Sequence, residues 1–520
     1  MKPRNFRPVE PTENITTSRQ APEEKPLPIR PLAEVQEEAR KVHHSLRLGI
    51  KEGGWSSLMV GFGESYLTAF GEFLKATALQ LGLLTTLPQL LASLVQLSAF
   101  KLTILLATRK RIVVINAALQ ALIWLVIIGV TYYTESVNAL IILTAFYFIF
   151  ATLGAPAWTS WMGDLVPENR RGRYFGQRNR IVGLFSFISI TSAGLILDRL
   201  SQINTFLGFS VLFGAAFISR VISTVIITRQ YEPRVELQEP EPYSFARFLR
   251  KLNRDPYGFF SLYIMLMMFA VYLAAPLFVL YWLRILNFNY FQFTILISMS
   301  SVTSFITMTT WGRNADHFGN KTVLWGSSYL VAMVPFFWFA LKYLPHEWAF
   351  PLGVVIQGIT GVSWAGFGLS SANFIYDMVD QPYRIRFMSY HTAVKGIAIF
   401  MGGVLGSWLA EFDMDWKIIP SGIYGVILLS GVARLVVAGV FVEKIREVRV
   451  VPHRPHFIRF TTIMPVQGFY LESMLGLNRT VRRFKQRMRR MWRVMERQER
   501  ALNAIPPASP AAPESEHKND

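Results

Sequence analysis

The chain of 520 residues contains no cysteine, which excludes disulfide bridges and thiolate-bound metal sites. Charged side chains are scarce, at 17% of residues against about 25% in a soluble domain. The sequence has no Gly-Lys-Ser/Thr loop of the kind that binds phosphates, so ATP-driven transport has no support. It also offers no nucleophile–base arrangement. We therefore expect neither an enzyme nor a protein with a metal or cofactor.

Apolar residues, by contrast, make up 52% of the chain and form continuous blocks. Each block is about 20 residues long, the length that crosses a bilayer as a helix. Continuous blocks favour helices over the alternating strands of a membrane barrel. The sequence thus predicts an all-α membrane protein with twelve transmembrane helices, at residues 54–75, 79–100, 112–133, 137–161, 179–198, 204–228, 257–283, 288–311, 322–341, 348–375, 392–411 and 420–443.

Composition divides the chain into five parts. Residues 1–50 form a polar tail whose amphipathic segment, 31–51, is predicted to lie along the membrane surface. Two six-helix bundles, 51–228 and 257–443, flank a polar central loop at 229–256. The tail at 444–520 holds ten Lys/Arg between residues 479 and 500, interleaved with apolar residues at helical spacing. This favours a helix on anionic lipids, with a coiled coil or a partner-binding helix as the alternative.

The net charge of +19 admits nucleic acid as a partner, but the distribution of the basic residues favours a membrane origin. Twenty Lys/Arg fall on one set of loops and five on the other. Because basic residues accumulate on the cytoplasmic side, both termini and the basic loops are predicted to be cytoplasmic. We expect a protein of the bacterial cytoplasmic (inner) membrane that binds no nucleic acid.

An internal repeat organises the chain. The basic stretch at 164–183 recurs 213 residues later at 377–396. A repeat of this kind indicates two similar halves. The stretches match at Asp164 and Asp377, Arg171 and Arg384, Arg173 and Arg386, and Gly183 and Gly396; farther along, Arg220 matches Arg434.

The loop after the eighth predicted helix reads Gly312-Arg-Asn-Ala-Asp316-His-Phe-Gly319-Asn-Lys321. It resembles G-x-L-A-D-x-x-G-R-K, the signature loop of the major facilitator superfamily of secondary transporters, and departs from it at Asn314 and Asn320. The first-half loop keeps only the basic end. The resemblance implies two rocking bundles with a cytoplasmic gate, the alternative being ordinary solvated charge. The gate residues would be Asp164, Arg171, Arg173, Gly312, Asp316, Gly319, Lys321, Asp377, Arg384 and Arg386.

Glu64 is the one carboxylate that the sequence places deep in the bilayer. A charge at that depth costs about 2.5–3.5 kcal/mol on insertion scales, so it is usually paired or functional. The first interpretation is proton coupling or binding of a cationic substrate group. The second is a structural ion pair with Arg220, which lies at the same predicted depth. Arg434 has no such partner and is predicted to extend towards the lipid headgroups.

By the same resemblance, the first, fourth, seventh and tenth helices would line a central cavity. Aromatic side chains there would favour an amphipathic or aromatic small-molecule substrate, although packing is the alternative. The predicted function is a monomeric secondary active transporter, coupled to protons. The rivals are a non-transporting scaffold of the same fold and a lipid or lysolipid translocator. The cavity candidates are Tyr66, Trp158, Trp161, Tyr263, Tyr272, Trp364 and Asn373.

Overall fold

The computed structural model describes residues 32–98, 108–167, 171–233, 244–379, 381–411 and 422–448. Within them, eleven helices are long and apolar enough to cross a membrane. A twelfth crossing is the first one, which is interrupted. The predicted all-α fold with twelve transmembrane helices is thus confirmed. The basic helix at 479–500 and the tail at 1–30 lie outside the described residues.

The first half runs from α1 to α7. Several of its helices begin at side-chain caps: the Thr77 and Gln80 side chains cap α3, Ser136 caps α5 and Asn204 caps α7. The bounds are α1 Leu32–Phe62, a 3-10 turn at Glu64–Tyr66, α2 Leu67–Phe73, α3 Ala78–Gln96, α4 Arg109–Thr134, α5 Val137–Leu165, α6 Arg171–Ser201 and α7 Thr205–Thr228.

The second half begins after the central loop, in which a short helix, α8, packs through the buried Phe248 against this half. The crossing helices follow the order of the first half, with Asn289 and Gln292 capping α11. The bounds are α8 Phe245–Lys251, α9 Pro256–Tyr272, α10 Leu277–Leu280 with a π turn at Tyr281–Ile285, α11 Tyr290–Phe318, α12 Asn320–Ala340, α13 His346–Met378, α14 Gln381–Glu411 and α15 Gly422–Phe441.

The two halves pack by the same plan. Crossing 1 is α1–α2, crossings 2 to 6 are α3 to α7, crossing 7 is α9–α10, and crossings 8 to 12 are α11 to α15. In the first half, crossing 1 packs on 5 and 6, and crossing 4 packs on 2 and 3. In the second half, crossing 7 packs on 11 and 12, and crossing 10 packs on 8 and 9. The halves meet where crossing 2 packs on 11 and crossing 5 on 8, so the interface repeats the same symmetry.

The amphipathic segment and the start of crossing 1 form one helix, α1, of 31 residues. This differs from the predicted separate helix on the membrane surface. No proline separates the two parts, and the segment has partners in the bundle: the Tyr231 backbone N–H donates to Ser45 Oγ at 2.7 Å. Val42 and Leu46 pack on the cluster that contains Trp161. The segment is therefore an extension of crossing 1 along the first half.

Crossings 1 and 7 are both interrupted within the membrane. In crossing 1 the α-helix ends at Phe62, and Gly63 has φ −105° and ψ −75° before the 3-10 turn. In crossing 7 the helix ends at Tyr272 and resumes at Leu277, just after Pro276. Such interruptions free backbone groups, which must find other partners inside a bilayer. The two breaks lie at equivalent points of the repeat.

Arg434 supplies partners at the break in crossing 7. Its NH2 group donates to the Val271 carbonyl at 3.2 Å, and NH1 donates to the Val331 carbonyl at 3.0 Å. Ser430 Oγ donates to the Ala270 carbonyl at 2.6 Å and accepts from Arg434 Nε. Arg434 as a whole residue is 3% exposed, so its guanidinium group is buried. The predicted extension of Arg434 to the headgroups is wrong, because carbonyls within the protein bind it.

Candidate functional site

A cavity of about 380 Å³ lies between the halves. Crossings 1, 2 and 4 supply its walls in the first half, and crossing 11 supplies the wall in the second half. Its polar groups comprise two charges of opposite sign together with amides and hydroxyls. The lining residues are Glu64, Gln89, Ala92, Ser93, Gln96, Phe148, Thr152, Thr392, Lys395, Gly396 and Ile399.

Glu64 is the first residue of the 3-10 turn that interrupts crossing 1. The Tyr147 hydroxyl, from crossing 4, donates to its Oε2 at 3.0 Å. Tyr147 is fully buried, with Trp124 packed against the ring at 4.9 Å between centroids. The carboxyl group is therefore oriented by a rigid neighbour while it faces the cavity. This arrangement can hold a proton or a cationic group at mid-membrane depth.

Lys395 is the opposite charge of the cavity, near the middle of the 31-residue helix α14. Its side chain is half-buried. Among the described residues, no ion pair or hydrogen bond engages its ammonium group. The sequence interpretation missed this residue, since it counted Lys395 with a cytoplasmic loop. The available signal was its position inside the predicted helix at 392–411, immediately before Gly396 of the internal repeat.

Arg220 and Glu64 do not form the ion pair that the sequence left open. Arg220 NH1 donates to Ser56 Oγ and to Ser223 Oγ, both at 3.3 Å. Ser223 in turn donates to Glu52 at 3.2 Å. Glu52 is 4% exposed and pairs with Arg178 at 3.1 Å. Arg220 thus belongs to a buried network that ties crossings 1, 5 and 6 together.

The seven cavity candidates from the sequence lie elsewhere, and the lining of the cavity includes none of them. Tyr66 is fully buried, and its hydroxyl donates to the Ile190 carbonyl at 2.8 Å and meets Thr294 Oγ1 at 2.7 Å. Trp161 is fully buried and donates from Nε1 to the Tyr231 carbonyl at 3.0 Å. These two side chains therefore serve packing between helices.

The other five candidates bind neighbours within the bundles or at the edge of the cavity. Tyr272 comes nearest to the site, because its hydroxyl lies 3.3 Å from Nε2 of the lining residue Gln89. Trp158 packs under the Arg178 guanidinium at 4.6 Å. Tyr263 meets Ser328 Oγ at 2.5 Å, Trp364 packs on Phe367 at 5.5 Å between centroids, and Asn373 donates to Asn320 at 3.0 Å.

We call the end of the molecule where α4 and α12 begin the basic end, and the other the opposite end. At the basic end of the first half, Arg109 pairs with Asp164 at 2.5 Å. The Arg109 backbone N–H donates to Glu232 Oε1 at 3.0 Å, and Lys110 Nζ donates to the Gln230 carbonyl at 2.7 Å. We call this set of contacts, made by Arg109, Lys110, Asp164, Gln230 and Glu232, the bracket of the first half. It joins crossings 3, 4 and 6.

The second half forms the equivalent bracket. The Lys321 backbone N–H donates to Glu447 Oε2 at 2.7 Å, and Lys321 Nζ donates to the Glu443 carbonyl at 2.9 Å. Asn320 donates to Asp377 Oδ2 at 2.8 Å, in the place of the Arg109–Asp164 pair. Each of these contacts of Asp164, Lys321 and Asp377 therefore joins residues of the same half.

The remaining gate candidates lie at the same end. Gly319 separates α11 from α12 at φ 90°, a value that favours glycine. Gly312 and the exposed Asp316 lie near the end of α11. Arg386 lies early in α14. Arg171 and Arg173 open α6, and Arg384 follows the start of α14, but the side chains of these three fall outside the described residues.

At the opposite end, polar contacts join the two halves. Arg284, at the end of crossing 7, pairs with Glu72 of crossing 1 at 3.1 Å and donates to the Ala76 carbonyl at 3.4 Å. Glu411, at the end of crossing 11, accepts the Leu79 backbone N–H at 3.0 Å. Beneath them, a hydrophobic core with members from both halves, Tyr66 and Phe293 among them, seals the interior. The halves are therefore closed together at this end.

Small residues bring the halves into close contact along both seams. Between crossings 2 and 11, Gly82 lies against Ser407 and Gly403 lies against Thr86. Between crossings 5 and 8, Gly194 lies against Thr294. A Cβ on any of these glycines would overlap its neighbour. Such close approach of backbones is how helices associate without a hydrophobic driving force.

Comparison with known proteins agrees with this architecture. The family model described as Major Facilitator Superfamily matches twice, over residues 53–283 and 260–499. No curated protein sequence matches the chain. Solved structures match in fold. A mutant of the nucleoside transporter NupG has 13% identity, a TM-score of 0.61 and coverage of 77% of this chain and 100% of its own. A D-xylose-proton symporter has 12% identity and a TM-score of 0.60, with coverage of 79% of this chain and 99% of its own. The xylose transporter XylE from E. coli, in an inward-open conformation, has 13% identity and a TM-score of 0.54, with coverage of 78% of this chain and 99% of its own.

Proposed function

The chain belongs to the Major Facilitator Superfamily of membrane transporters, and on that premise we propose that it carries a small solute by alternating access, driven by protons that Glu64 binds. The observation that supports this most directly is the position of Glu64. A carboxyl group at an interruption of crossing 1 faces a cavity between the halves. Ionisable side chains within a membrane usually mark a proton or substrate pathway.

The contacts at the two ends support a transport cycle with the opposite end now closed. Contacts through Glu72 and Glu411 join the halves at the opposite end, which supports exchange of solute between the cavity and the basic end. The lining extends to Gln96, the last residue of α3, which ends at the basic end. With basic loops in the cytoplasm, this is an inward-facing state of a protein in a bacterial cytoplasmic membrane, with both termini inside.

The brackets at the basic end favour a working transporter over a scaffold. The first-half loop lacks the Gly and Asp of the signature, yet Arg109 and Lys110 make the same kinds of contact as Asn320 and Lys321. Each half is thereby stiffened as a separate body. Rigid bodies that close at one end and part at the other are what rocking about a central site requires.

Flux in proteoliposomes tests the proposal. The full chain is reconstituted, a pH gradient is imposed, and panels of labelled sugars, nucleosides, amino acids and organic acids are screened for uptake. We expect one class to accumulate with the gradient and Glu64→Gln to abolish gradient-driven accumulation while leaving exchange of the solute. Glu135→Gln, an exposed carboxylate at the opposite end, is the matched control.

Two results would count against the proposal. Unchanged gradient-driven uptake in Glu64→Gln would remove the coupling role of that residue. Absence of flux for every class, with the protein folded, would favour the scaffold.

A further inference from the structure

We propose that the cavity binds an organic anion through Lys395, and that a proton on Glu64 strengthens this binding; the inference rests on the proposed function and names its substrate class. It begins from the two charges that line one cavity from different halves, Glu64 on crossing 1 and Lys395 on crossing 11. No ion pair joins them, although both belong to the described residues. Each charge therefore remains available to a ligand.

An ammonium group without a partner at this depth needs an explanation. Arg434, the other basic residue inside the second half, is satisfied by two carbonyls and a serine. Arg220 in the first half is held by two serines beside Glu52. Lys395 alone among these three faces the cavity. Cationic side chains kept free in a cavity are suited to anionic ligands, since a charge-assisted hydrogen bond forms when the ligand arrives.

The neighbours of Lys395 suit the polar end of such a ligand. Gln96 supplies an amide donor from crossing 2, whereas the amide group of Gln89 already donates to the Thr85 carbonyl and the Tyr272 hydroxyl. Thr152 and Thr392 supply hydroxyl groups. Phe148 is the aromatic member of the lining and gives the ligand an apolar surface. A carboxylate needs donors around both oxygens, and this set provides them. The cavity thus favours an acid with a small apolar body over a sugar.

The charge of the empty cavity depends on Glu64. When Glu64 is ionised, its charge opposes that of Lys395 and the sum is neutral. When Glu64 is protonated, the sum is positive, and an entering anion meets only attraction. Proton and anion therefore bind with positive coupling, and the coupling is reciprocal. This supplies a physical reason for co-transport of the two in one direction.

The other titratable groups around the site leave this balance to the two charges. The Tyr147 hydroxyl of crossing 4 donates to Glu64. His391, one turn before Lys395, is buried with Nδ1 at 3.1 Å from Ser261 of crossing 7. Tyr272 of crossing 7 contacts Gln89. Arg220, Arg178 and Glu52, two cations and one carboxylate, belong to a separate buried network, and none of them lines the cavity.

Because the chain has no cysteine, a single introduced thiol reports on occupancy of the cavity. Ala92→Cys places it in the lining without removing a polar group. The full chain in phosphatidylcholine vesicles is treated with the neutral reagent methyl methanethiosulfonate, with and without a millimolar probe. The probes are phenylacetate, phenylacetamide and phenethylamine, which share a body and differ in charge. The quantity measured is the ratio of labelling rates with and without probe.

We expect phenylacetate to protect the thiol and the other two probes to protect about tenfold less, since one charge at contact distance decides the difference. Adding Lys395→Gln should abolish the selectivity, while Lys342→Gln, an exposed lysine at the opposite end, should keep it. In the wild-type background, protection by phenylacetate should strengthen as pH falls. In Glu64→Gln it should be strong and independent of pH.

Preferential protection by phenethylamine, no protection by any probe, or unchanged selectivity in a folded Lys395→Gln variant would each overturn the proposal. Thermal unfolding of the variant confirms that it is folded. Vesicles that also contain phosphatidylglycerol identify the source of the anion: protection without added probe, found only there and lost in Lys395→Gln, assigns the site to a lipid headgroup. Failure of transport leaves these binding results unchanged, so the two proposals fail separately.

Discussion

The contacts at the opposite end hold the present conformation, and their removal should shift the population of states. We expect Glu72→Gln together with Glu411→Gln to favour the state open at the opposite end. The first substitution removes the ion pair with Arg284 across the halves. The second removes the carboxylate that accepts the Leu79 N–H at the start of α3. Neither substitution touches the cavity lining.

The size of the shift follows from exposure. The Glu72 side chain is 17% exposed and the Arg284 side chain 45%, so the pair is partly screened and contributes about 0.5–1 kcal/mol. The Glu411 carboxylate at a helix N-terminus contributes about 0.3–1 kcal/mol. Together they amount to about 1–2 kcal/mol, which changes the ratio of the two states by about 5- to 30-fold. The remaining hydrophobic contacts limit the effect to this range.

Spin labels measure the shift directly. Tyr133 of the first half and Tyr343 of the second are 85% and 71% exposed at the opposite end, and cysteines there are unique in this chain. Electron–electron distance distributions should gain a longer component in the double variant. Glu135→Gln serves as the control. A distribution that does not change in the double variant would refute the assignment of these contacts as a closure between the halves.

Substitutions at three further positions test the packing. Gly406→Ala places a Cβ against the Leu273 carbonyl at the break in crossing 7, and we expect a loss of about 1–3 kcal/mol, measured by thermal unfolding in detergent. Tyr66→Phe removes the hydroxyl that meets Thr294 across the halves; a cost of about 1–3 kcal/mol should appear in the same assay. Arg434→Met leaves two carbonyls without a donor and should cost about 1–3 kcal/mol for each, partly recovered by Arg434→Lys.

The internal repeat predicted the architecture and some of the site. Asp164 and Asp377, paired by their spacing in the sequence, take equivalent places in the two brackets. Glu64 was identified because a carboxylate inside an apolar block is conspicuous, and it does line the cavity. The hydrogen-bond partner of Glu64, Tyr147, could not be identified from the sequence, because a hydropathy pattern carries no information on which helices face each other.

The boundaries of the apolar blocks explain what was missed. Glu52 and Lys395 lie just outside or at the edge of the predicted blocks, while the real helices extend well past them, to 31 residues each for α1 and α14. The aromatic candidates failed to line the cavity for another reason. A residue such as Tyr66 or Trp161 can point to either side of its helix, and only the packing decides which.

The fused helix α1 has a mechanical consequence. A straight helix of 31 residues is about 46 Å long, so α1 works as a lever whose far arm projects beyond the basic end. The hydrogen bond between Ser45 and the Tyr231 backbone N–H anchors this helix to the first half. The helix ends just before the turn that carries Glu64. One continuous helix therefore joins the region around residue 34, near the start of α1, to the turn that carries Glu64 inside the membrane.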